Sequence, residues 1–105
     1  MSRPYYASEI IETLHNGDGE TEVVAVIEAR HDPDTEKLHV RLDAFLRAVN
    51  QRGPDQELRP DWLPHLQEAG EGVSAADSTA LARELFHRWV GRVREALRAK
   101  REGEI

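Results

Sequence analysis

Apolar residues fall in short clusters separated by Gly, Pro, Asn and Asp, and their spacing is the first guide to structure. Toward the carboxyl end, Leu81, Leu85, Phe86, Trp89, Val90, Val93 and Leu97 recur at three- and four-residue steps, which predicts a helix with a broad apolar face. Ser74-Ala75-Ala76-Asp77 opens it as a capping-box variant, with Asp where Glu or Gln is usual. A run from Ala75 to Arg101 would rise about 40 Å, longer than a domain of this size is wide.

Upstream, Asp32-Pro33-Asp34-Thr35-Glu36 has the cap, first-turn proline and early acids of a helix start. Behind it come Leu38, Leu42, Phe45, Leu46 and Val49, with Gly53-Pro54 as the stop. Two shorter segments precede it. Pro4 to His15 places Ile10, Ile11 and Leu14 on one side and closes at Asn16-Gly17, and Glu20 to Arg30 clusters Val23, Val24 and Ile27. Pro54 to Arg59 is polar and reads as a loop; Pro60-Asp61 then introduces a turn of helix through Trp62, Leu63 and Leu66. These signals together predict an all-α fold, a compact bundle of four to five helices with a long C-terminal helix, and residues 1–105 as a single helical domain.

The alternative is α+β, with a small N-terminal antiparallel sheet followed by helices. Asn16-Gly17-Asp18-Gly19 suits a hairpin, and Lys37 to Ala44 alternates polar residues with Leu38, Val40, Leu42 and Ala44. Periodicity alone leaves residues 9–44 open between helix and strand.

Charge refines this picture. The net charge is −6, but it is polarised: residues 83–105 carry +3 and residues 1–82 carry −9. A net acidic chain argues against nucleic acid as partner, because phosphate contacts need a surplus of Lys and Arg. A weak contact through the basic helix is the one form of nucleic-acid binding that the pattern leaves open. The amino-terminal residues lack an apolar stretch of signal-peptide length, and the longest purely apolar run is Val23 to Ile27, so no membrane contact and a cytoplasmic location are expected. Cysteine is absent, which removes disulfides, thiolate metal sites and cysteine nucleophiles.

The most unusual motif is a glutamate three residues before a histidine, found at four of the five histidines: Glu12 and His15, Glu28 and His31, Glu36 and His39, Glu84 and His87. On helices each pair would share a face, and carboxylate–histidine pairs converging from separate helices can hold iron or manganese. The first three pairs are therefore the candidate ligands of an alternative metal-binding bundle. Glu84 and His87 fall opposite the apolar stripe and read as solvated. No cofactor other than such a divalent metal is suggested. Partial calcium-loop spacing at Asn16, Asp18 and Gly19 fails at Leu14 and Ala25. Phosphate-binding glycine loops, a nucleophile elbow and zinc-protease spacing are all missing, so no catalytic residue is named.

The leading functional expectation is a noncatalytic helical module for protein–protein interaction, either with itself as a homodimer or as an accessory subunit. Its candidate partner-binding residues are Trp89, Arg88, Arg92, Arg94 and Arg98 on the last helix, whose positive end suits an acidic protein surface, including the acidic half of a second copy.

Overall fold

In a computed structural model, which describes residues 4–17, 19–49 and 53–103, the chain is mostly strand. The strands are β1 (Tyr5–Asn16), β2 (Gly19–Asp32), β3 (Lys37–Val49), β4 (Gln56–Leu58) and β5 (Leu66–Gly70), and a single helix, α1 (Ala75–Glu102), follows them. All pairings are antiparallel. The sheet runs β1-β2-β3-β4, and β5 pairs with the same edge of β3 as β4 does but nearer the start of that strand.

A five-stranded sheet with one helix overturns the helical bundle expected from the sequence. The sheet-first alternative is nearer, yet the sheet takes in strands as far as Gly70, and among the described residues one helix rather than several follows it. The three segments read as helices before residue 50 are β1, β2 and β3, and the turn of helix after Pro60 is a loop leading into β5.

Composition explains why these segments extend. β2 carries Thr21, Val23, Val24, Val26 and Ile27, β-branched residues that lose rotamer freedom on a helix and pack well on a pleated surface. The β1–β2 hairpin closes at the Asn16↔Gly19 pair. At the β2–β3 connection, Asp32 accepts the Asp34 amide on its side chain (2.9 Å), and Glu36 turns the chain back with a left-handed φ of 53°. The Asp34 amide, and then the Thr35 hydroxyl, hold the Asp32 carboxyl below its ordinary pKa. A helix cap would make the same side-chain bond, since a capping aspartate also accepts an amide two or three residues on.

The last helix stands where its sequence signals place it. Ser74 accepts the Asp77 amide (3.2 Å) and donates its hydroxyl to the Asp77 carboxylate (2.9 Å). The helix lies across one face of the sheet. Ala82, Trp89, Val90, Val93 and Leu97 pack there on Val23, Ala25, Ile27 and Ala29 of β2 and Leu38, Val40, Leu42 and Ala44 of β3, with Leu63 closing one end. The alternation noted in Lys37 to Ala44 thus marks the buried side of β3.

One polar bond anchors the helix. β5 pairs with Leu38 to Leu42 and β4 with Leu46 to Ala48, leaving residues 43–45 between them on the outer edge of β3. Trp89, 1% exposed, donates its indole N–H to the Asp43 carbonyl (2.9 Å). A second tie lies at the other end of β2, where buried His31 donates Nε2–H to the Val73 carbonyl (2.6 Å) and the Val73 amide donates to Glu36 (2.9 Å). Among the described residues, no helix is long and apolar enough to cross a membrane.

Trp89→Phe keeps a ring in the core but removes the indole donor to the Asp43 carbonyl. Losing a buried hydrogen bond of this kind costs about 0.5–1.5 kcal/mol. Urea unfolding should register a loss of that size with an unchanged denaturant slope; an unaltered midpoint would show that the indole bond does not anchor the helix.

Candidate functional site

Alternation along the strands sends the residues between the core positions to the other face, which no helix covers among the described residues. Read across the pairings, three neighbouring rows of that face are Tyr6–Glu28–Arg41–Gln67, Ser8–Val26–Asp43, and Ile10–Val24–Phe45. The middle row is built of smaller side chains than its neighbours. The result is a hollow of about 470 Å³ whose floor includes Ser8, Val26 and Asp43 and whose walls include Tyr6, Glu28, Arg41 and Arg59.

Asp43 organises one side of this hollow. Its carboxylate accepts the Ala44 amide (2.9 Å) and Nε–H of Arg59 (3.0 Å), and Arg41 stands 3.9 Å away. Hydrogen bonding to Asp43 raises the Arg59 pKa above its already high ordinary value, so the guanidinium is charged at any working pH. The same guanidinium lies 5.2 Å over the Phe45 ring. Arg47 reaches over Glu22 at 3.1 Å. Arginine stems and cation–π contact therefore cover the apolar row on its β4 side, and Phe45 and Val24 are nearly buried without a second layer.

The β1 side has no such cover. On this face Tyr6 is 61% exposed and Ile10 49%; Leu14, 41% exposed, lies beyond the register shift of β1, on the same side as Thr21. Among the described residues β1 pairs with β2 alone, so its outer backbone groups face away from the sheet along a twelve-residue strand. Native edge strands are usually blunted by lysine, proline, shortness or a bulge. Here β1 has a register shift between Ile10 and Glu12 but no Lys or Arg. Its only acids, Glu9 and Glu12, face the helix and are paired there with Arg94 (3.6 Å) and Arg101.

Strand geometry separates the members of the glutamate–histidine pairs, because three positions along a strand reverse the face. Glu12 meets Arg101 on the helix side, whereas His15 meets Glu20 across the hairpin (3.2 Å). Glu28 lies on the open face, accepting from the Tyr6 hydroxyl (3.2 Å) and Arg30 (2.9 Å), while His31 is buried under the loop before α1. Glu36 is in the β2–β3 turn, and His39 is exposed on β3 opposite Arg30. Among the described residues, no three His, Cys, Asp or Glu side chains gather as a metal site would require.

The helix residues read as partner-binding are distributed differently as well. Trp89 belongs to the core. Arg88 pairs with Glu84, Arg94 with Glu9 and Arg98 with Glu95, and Arg92 stacks 5.5 Å over Trp89. Much of the positive charge on the helix is thus matched within the chain. The β1 edge escaped the sequence reading because Tyr6, Ile10 and Leu14, spaced by four, look like a helical stripe. The alternation Tyr6-Ser8-Ile10 is the signal that marks one strand face.

Comparison with protein-family models, with curated proteins and with solved structures finds no match to this chain, so the site is read from its own geometry.

Asp43→Ala strips the bonds to Ala44 and Arg59 together and leaves the Ala44 amide unmatched in a buried position. The expected loss is about 1–3 kcal/mol in urea unfolding. Asp43→Asn, which keeps an acceptor oxygen, should lose less; equal losses in the two variants would contradict the assigned role.

Proposed function

We propose that this chain is a noncatalytic interaction module that engages protein by strand addition at the free edge of β1. The observation that carries this reading is the coincidence, on one strand, of an open backbone edge and the exposed apolar side chains Tyr6, Ile10 and Leu14. Backbone pairing along an edge supplies affinity, and alternate side chains supply specificity. Elsewhere Leu58 is also exposed, but β4 is only three residues long, and the many matched ion pairs contribute little to binding when exposed. The partner surface is accordingly moved from the last helix to the first strand.

The two surfaces are separable by mutation. Ile10→Lys places a charge where an added strand would lie and should weaken any assembly the purified protein forms by at least about tenfold, which is the effect of ~1.4 kcal/mol. Arg92→Glu with Arg98→Glu should leave that assembly within about threefold. Sedimentation equilibrium of each untagged variant, with circular dichroism to confirm the fold, measures both. Loss of assembly in the helix variant but not in Ile10→Lys would return the partner surface to α1, and a protein that remains monomeric and partnerless at every concentration would contradict the reading.

A further inference from the structure

Resting on the strand-addition reading, we infer that the added strand is β1 of a second copy, paired antiparallel about a twofold axis through Ser8. An edge-to-edge twofold in a sheet is perpendicular to it, so each residue faces a residue from the same side of the second copy, and the possible registers are those centred on one residue. They differ in what they place opposite one another.

Centring on Ser8 sets Tyr6 opposite Ile10 of the second copy on the open face, and Ile10 opposite Tyr6, so that both exposed apolar residues are covered reciprocally. An aromatic residue facing a β-branched one is a favourable cross-strand pair. On the helix side the same register places Glu9 against the small Ala7. It also keeps most of its contacts within Tyr5–Ile10, the part of β1 whose pairing with β2 is regular. A centre at Glu9 would put two carboxylates directly opposite and set Ile10 against Ser8 rather than Tyr6. A centre at Ala7 would face Tyr6 with Ser8 and leave Ile10 against Pro4. A centre at Ile10 runs the ladder through the shift between Ile10 and Glu12.

Charge permits the contact. The chain is acidic overall, but the open-face side chains of this segment, Tyr6, Ser8 and Ile10, are neutral, and Glu9 is already matched by Arg94. The product is one continuous sheet in the order β4-β3-β2-β1-β1-β2-β3-β4. Both helices lie on one side of it, and on the other the two hollows flank the axis, because Ser8 and Tyr6 line each of them.

The chain has no cysteine, so one introduced thiol reports one position. Residues directly opposite across antiparallel strands have Cβ atoms about 4.5–5.5 Å apart, close to the span a disulfide bridges. Under mild oxidation Ser8→Cys should form a linked dimer at least about tenfold faster than Thr79→Cys on the exposed face of the helix. Mixing Tyr6→Cys with Ile10→Cys should give linked heterodimers faster than either gives homodimers. Fastest linkage by Glu9→Cys or Ala7→Cys would overturn the register. An assembly that Ile10→Lys disrupts but that Ser8→Cys does not link would overturn the second copy in this arrangement and leave strand addition standing; an assembly indifferent to Ile10→Lys would remove both.

Discussion

One helix covers one face of this sheet, and most of what is particular about the molecule follows from that imbalance. The apolar alternation of β2 and β3 is matched to α1 on the helix side, where Trp89, Val93 and Ala82 are fully buried. The indole bond to the Asp43 carbonyl fixes the helix at the one stretch of β3 that neither β4 nor β5 occupies. Buried donors and acceptors must be paired, and side chains add to the backbone pairing here: the Asp43 carbonyl accepts the Trp89 indole N–H, and the Asp43 carboxylate accepts the Ala44 amide. The same aspartate holds Arg59 over Phe45 and keeps the apolar row of the open face out of water at its β4 end. At the β1 end nothing equivalent exists among the described residues.

The polarised charge has a related explanation. A basic helix after an acidic amino-terminal part suggests attraction to another molecule, but the fold lays the helix against β1, where Arg94 and Arg101 meet Glu9 and Glu12. These exposed bridges contribute modestly to stability. Their larger consequence is neutrality along β1, since the two acids that would repel an approaching strand are engaged on the helix side.

The sequence made the last helix legible because three independent signals agree there: the Ser74–Asp77 cap, the three- and four-residue apolar steps, and basic residues at the carboxyl end. The strands were harder to read for identifiable reasons. Asp32 makes in a hairpin turn the bond it would make at a helix start, and only the left-handed Glu36 separates the two outcomes. β2 is apolar on both faces between Val23 and Ile27, which removes the alternation that marks a strand and leaves a cluster that fits a helical face equally well. Leu38, Leu42 and Leu46 are spaced by four, so they satisfy both the helix period and every second step of the strand period. The candidate site was hidden by the same ambiguity, and the glutamate–histidine spacing lost its chemical meaning once strand geometry sent Glu12 and His15, and Glu28 and His31, to opposite faces and left Glu36 in a turn.

The central claim is that the free edge of β1 is where this protein meets another chain. Amide hydrogen exchange followed as a function of protein concentration tests it most directly. The account predicts that amides of Tyr5 to Ile10 pointing away from β2 gain protection as concentration rises, while the exposed face of α1 does not change. Exchange in β1 that is the same at every concentration, or protection that grows along α1 instead, would contradict it.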